Sequence, residues 1–168
     1  NLASYGPIIG QEYLYLKIRT PSFKGDIGTI NFSENVFLVN SLSSRQQIGN
    51  GVQAFVLSFV SQELVRDQRT KVTQSLEGSW SDIVKIMLLN PNYLGTRKRI
   101  FIENTSGVKK FVAPNVRPLD IIKMATEQGV SNFKNESTFL FYETLKGFHY
   151  RTLASMYNEK SILDYTTV

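Results

Sequence analysis

The spacing of apolar residues changes once along this chain, and the change decides the class of fold. From Val52 to Ser61 apolar side chains follow the two-residue rhythm of a strand, with Phe55, Leu57 and Phe59 on one side and Ala54, Val56 and Val60 on the other. From Ser79 onward the rhythm is helical: Trp80, Ile83, Val84 and Met87 recur at i, i+3, i+4 and i+7. Two periods in separate stretches predict an α+β protein, with a mainly β front part carrying one packed helix and a smaller helix-plus-hairpin part behind it.

Local signals set the expected elements. Gln11 to Arg19 alternates like a strand with one buried face, and Pro21 to Gly28 is turn chemistry. Phe37 to Asn40 is an apolar run beside the polar Ser41 to Gln47. Asn50-Gly51 is the strongest short hairpin signal, and the strand after it carries apolar groups on both faces, which predicts a central position. Ser79 with Asp82 three residues later forms a capping-box-like start to a helix that Asn90-Pro91 ends. Lys98 to Glu103 and Val108 to Val112, around Asn104 to Gly107, read as a second hairpin. Ala113-Pro114-Asn115 marks a boundary, after which Pro118, Leu119, Ile122 and Ala125 predict a helix ending at Gly129. Strands over Thr138–Glu143 and Phe148–Leu153, turning around Lys146-Gly147, close the chain.

Composition narrows the function classes. The 168 residues suffice for one domain or two small ones, and a chain of this size buries roughly 70% of its unfolded surface. With 42% apolar and 20% charged residues it lies far from the signature of disorder. Having no Cys, it cannot make disulfides, thiolate nucleophiles or iron–sulfur ligands. No apolar run approaches the roughly 18 residues of a membrane-spanning helix, and Asn1 to Pro7 lacks the order of a signal peptide. The ends, Asn1 without a Met and Asp164 to Val168, read as those of a piece cut from a longer chain. A net charge of +5, from 19 basic and 14 acidic residues, is a modest excess spread along the sequence.

Catalytic chemistry finds no motif. The single histidine, His149, stands in the last hairpin and cannot build a metal site of two or more imidazoles, so its expected role is structural. Neither GxxxxGK[ST] nor GxGxxG occurs. Glu136 and Glu143 form one nominal carboxylate pair among many, and sequence spacing does not give their separation in space. Two basic clusters, Arg97-Lys98-Arg99 and Lys109-Lys110, would be neighbours if the second hairpin formed, and would concentrate charge for DNA or for an acidic partner. The other reading of them is a solvated hairpin whose charges discourage edge-to-edge pairing.

The order of segments carries more than any one residue. Phe37-Leu38-Val39-Asn40-Ser41-Leu42 with Arg45, then Gly51 to Ser61 and Glu63-Leu64, resembles the barrel strands of baseplate hub proteins from T-even-like contractile-tailed phages. The likeness continues through Lys71-Val72, Ser75-Leu76-Glu77-Gly78 and Ser81-Asp82-Ile83-Val84 to Phe139-Leu140-Phe141-Tyr142-Glu143 and Gly147 to Leu153. The resemblance implies a tail-tube-like β-barrel over 1–113, related to late-control and type VI spike-hub proteins, and a small, incomplete α+β domain over 114–168. It implies a hub trimer that joins the tail tube to the central spike around a DNA channel. Expected partners are then other baseplate and tail-tube proteins, the spike protein and transient DNA, with no membrane. Expected too are no catalytic residue, no cofactor and no metal, and a place in the virion baseplate after assembly in the host cytoplasm. The chain departs from a full hub protein in length, since only one barrel fits in it. The rival readings are a basic nucleic-acid-binding module and, third, a cell-wall hydrolase domain.

Overall fold

In the computed structural model, Ile8 and residues 10–21, 29–33, 35–49 and 51–160 are described. The stretch Gln11–Arg19 splits into two short strands in different sheets, β1 (Tyr13–Leu14) and β2 (Lys17–Arg19). β2 pairs antiparallel with β3 (Thr29–Asn31), while β1 pairs with the start of β4 (Phe37–Gly49). The expected alternation holds in part: Leu14 and Leu16 are half-buried and Tyr13, Tyr15 and Lys17 exposed, but Ile18, on the leucine side, is exposed too. Of the expected turn between them, residues 22–28 lie outside the described part.

β4 runs on through Ser41–Gln47, because β5 (Val52–Ser61) pairs with it antiparallel along nearly its whole length. Gly49 faces Val52, and Gly51 has φ +84°, in keeping with the hairpin expected at Asn50-Gly51, of which Asn50 is outside the described residues. The expectation that β5 is central is corrected: among the described residues the sheet order is β1-β4-β5, with β5 at the edge. Apolar residues on both faces signalled cover on both faces, yet Val52, Phe55, Val56 and Phe59 are exposed. Register shifts at Val39/Ser41, Ser43/Gln46 and Gln47/Gly49 break the ladder, the second beside Ser44 at φ +51°. Phe37 lies between Phe32 and Phe59, with ring centroids at 5.3 and 4.9 Å.

The chain divides into two compact units, Asn1–Arg66 and Asp67–Val168, within helix α1 (Gln62–Arg69). The boundary expected at Ala113/Pro114 therefore falls inside the second unit. Ala113 is itself buried in that unit's core, and Val72 bridges to Val116 just beyond.

The second unit holds the buried cluster of apolar side chains. β6 (Ser75–Gly78) leads into α2 (Trp80–Leu89), which starts as the sequence predicts: the Ser79 hydroxyl accepts from Asp82 N at 3.2 Å. Trp80, Ile83, Val84, Met87 and Leu88 are all buried. The second hairpin expected from the sequence does not form. β7 (Ile100–Ile102) pairs parallel with a strand far ahead, whereas β8 (Lys109–Val112) pairs antiparallel with β6. Asn104–Gly107 has turn composition, but Thr105 is occupied elsewhere: its hydroxyl accepts from Ser81 N at 2.9 Å and its backbone bridges to Ser131.

Helix α3 (Pro118–Gln128) begins with Pro118 and ends at Gly129, as predicted. Its first turn is satisfied by two carboxylates: Leu119 N donates to Asp67 at 2.8 Å and Arg117 N to Asp120 at 3.3 Å. β9 (Phe139–Thr144) and β10 (Gly147–Thr152) form the closing hairpin, giving the sheet order β7-β10-β9. Thr152 then caps the short helix α4 (Leu153–Tyr157), where the sequence pattern has the strand continue to Leu153. The molecule is thus α+β; among the described residues no sheet closes into a barrel, and no helix is long and apolar enough to cross a membrane.

Candidate functional site

Strand alternation gives the sheet β7-β10-β9 two distinct faces. Phe148, Tyr150 and Thr152 point with Phe139 and Phe141 into the core, where Tyr150 is fully buried and its hydroxyl donates to Ala125 O at 2.8 Å. Burial, reinforced by the charge of Glu103, pushes the Tyr150 phenol far above its ordinary value. Gly147 is demanded by the backbone: at φ +135°, a Cβ there would sit 2.0 Å from Arg99 O.

The opposite face carries a row of rings. His149 lies directly opposite Phe101 on one side and Tyr142 on the other, and the three rings stack across the strands, with centroids 4.6 Å and 4.9 Å apart and planes within 12° and 3°. Such a row stabilises three strands at once, each ring pair contributing about 0.5–1.5 kcal/mol beyond area burial. The His149 Nε2 lies 2.9 Å from the Thr144 hydroxyl, and Nδ1 is buried with no hydrogen-bond partner. Burial, helped by the positive charges of Arg151 and Lys146 and opposed by Glu159, holds the imidazole below its ordinary value and therefore neutral at pH 7.

The row forms one wall of a cleft of about 820 Å³ on that face, which Lys146, Arg151, Ser155, Glu103 and Glu159 also line. Two of its carboxylates are already engaged. Glu159 pairs with Arg151. Glu103 accepts from Ser131 Oγ and from Thr152 N at 2.9 Å, and although burial acts to raise its pKa, donors from Ser131, Thr152 and Ser155 outweigh it and bring the net value down.

The basic residues singled out in the sequence are not brought together by strand pairing, since β7 and β8 belong to different sheets. Lys98 turns inward: its side chain is only 9% exposed, its ammonium lies 2.6 Å from Glu143 and 5.2 Å from the centre of the Phe148 ring. Lys110 pairs with Glu77, its cross-strand partner, at 3.2 Å. Arg97, Arg99 and Lys109 are exposed. Glu136 and Glu143 have separate engagements: Glu143 holds Lys98, and Glu136 accepts from Ala154 N at 3.2 Å. Among the described residues no three His, Asp or Glu side chains converge as a metal site would require.

Sequence reasoning missed the ring row. Half of it was readable, because a tight turn at Leu145-Lys146 places Tyr142 opposite His149. Phe101 was not, because its parallel partner lies 48 positions on.

In the first unit the candidate is a surface. β5 shows Phe55 and Phe59 on one face and Val52 and Val56 on the other, joined by Ile48 at 69% exposure on β4. Among the described residues, such a strand presents unpaired backbone groups beside exposed apolar side chains. No family model, no curated protein and no solved structure matches this chain.

Proposed function

We propose that this chain is a structural assembly module, a component of a phage tail baseplate hub that helps join the tail tube to the central spike around a DNA channel. The observation that carries the reading is the β4–β5 ribbon. It ends in an edge strand that exposes apolar side chains on both faces and is bent by three register shifts. A subunit of a ring or barrel wall needs such an edge, because its free N–H and C=O groups and its apolar side chains are completed by the next copy. Bulges supply the twist that closing a wall requires. In this reading β1-β4-β5 is a segment of a tail-tube-like barrel, the hub is a trimer, and its neighbours are baseplate, tail-tube and spike proteins.

The nucleic-acid reading rested on a hairpin that would have put both basic clusters side by side. With that hairpin absent and Lys98 turned inward, the strand-pairing argument for it falls away.

Light scattering across a concentration series tests the assembly reading. The chain is expected to form a trimer, and Phe55→Asp with Val56→Asp to leave a folded monomer. A wild-type chain that stays monomeric up to about 1 mM, the weak limit of specific association, would refute the assignment.

A further inference from the structure

The cleft on the ring-lined face of β7-β10-β9 goes unused by the assembly reading and lies wholly within the second unit. At about 820 Å³ it falls in the range of roughly 300–1,000 Å³ typical of small-ligand sites. Its aromatic wall is incomplete. Only His149 has a ring on both faces; among the described residues β7 and β9 are both edge strands, so Phe101 and Tyr142 each have a ring on one face only, and of the two Phe101 is the exposed one, at 38%. Its two cations and two carboxylates are not all paired with one another. Glu159 is taken by Arg151 and Glu103 by its hydroxyl and amide donors, whereas the Lys146 ammonium on the turn forms no ion pair among the described residues. Finally, His149 is nine-tenths buried in this wall with Nδ1 unsatisfied, a cost that a purely structural aromatic at this position would avoid.

We propose that this cleft binds a small planar aromatic anion, whose ring extends the Tyr142–His149–Phe101 stack over the open face of Phe101 and whose negative charge meets Lys146. Stacking supplies orientation without demanding one particular ring, and the lysine supplies selection for charge. A neutral His149 suits the role, because the stack itself stays uncharged beside the Lys146 ammonium.

The test uses titration calorimetry and ring-proton NMR on the full chain with three probes: adenosine monophosphate, uridine monophosphate and 2-naphthoate. At least one is expected to bind saturably and to shift the resonances of Phe101 and Tyr142. Adenosine, which keeps the ring and lacks the charge, should bind about tenfold more weakly than its monophosphate. Lys146→Gln, on an exposed turn, should weaken the anions about five- to tenfold and leave adenosine unchanged. Phe101→Leu should weaken both, and Lys109→Gln on β8 neither. The inference is overturned if none of the three anions binds at about 5 mM, if adenosine matches its monophosphate, or if Lys146→Gln and Phe101→Leu leave binding intact. These outcomes are independent of whether the chain trimerises.

Discussion

Gly147 shows how one atom can decide whether a sheet exists. A side-chain carbon at this position would lie 2.0 Å from the Arg99 carbonyl oxygen, which leaves no room for alanine where β10 meets the start of β7. Gly147→Ala should therefore cost about 3 kcal/mol or more in urea denaturation, whereas Gly107→Ala, at φ +75° with open space around it, should cost about 1 kcal/mol. Equal losses would mean that the close approach is not what matters. His149 makes a second prediction through its proton. The unfolded chain takes up that proton near the ordinary value of 6.5, and the folded chain resists it, so the unfolded state binds more protons below that pH. Stability is thus fully present above about pH 7.5 and falls as pH drops through 6.5 toward the lowered folded value. His149→Phe keeps the ring row and should flatten this part of the curve, leaving the loss from Glu103, which begins only below the carboxylate's ordinary 4.5. An unchanged slope in the variant would remove His149 as its source.

At the scale of elements, helices were the most legible part of the sequence, because their signals are local. Ser79 with Asp82 and Pro118 with Gly129 stand within a turn of the ends they mark, and the apolar period between them fixes the buried side. Trp80 is 2% exposed and packs 5.5 Å from Phe111, so Trp80→Ala should cost about 3–5 kcal/mol. Trp80→Phe should cost less than half of that, since it also removes an indole N–H that is buried without a partner. A loss below about 1 kcal/mol for the alanine variant would contradict the packing. Strand partners were legible only where a two-residue turn set the register, as in β4–β5 and β9–β10. The β7–β10 pair is parallel and has no local signature, so a nearby turn-like sequence, Asn104 to Gly107, claimed β7 for the wrong partner. The ring row, and with it the cleft, was hidden for the same reason.

At the scale of the molecule, apolar burial is uneven. The core cluster runs from Val72 to Tyr150, and among the described residues of the first unit Val39 is the buried apolar side chain. The sequence misled here because exposed and buried apolar strands have the same composition; Phe55 and Phe59 read as core residues until their cover is sought. Local opening should follow burial. Hydrogen exchange of the isolated chain is expected to be fast along β4 and β5 and slowest in Phe148–Thr152, and assembly is expected to slow the ribbon. Ribbon amides as protected as those of β10 in the monomer would show that the first unit is stable alone.

The parallel pairing of Ile100–Ile102 with Phe148–Tyr150 also has a consequence for synthesis. When Gln128 leaves the ribosome, α2 and α3 are free of it, yet β9 and β10, which share the core with Ile122 and Ala125, have still to emerge. The growing polypeptide therefore keeps the apolar faces of two helices uncovered until Thr152 emerges, and the second unit can close its core only after its last strand is out.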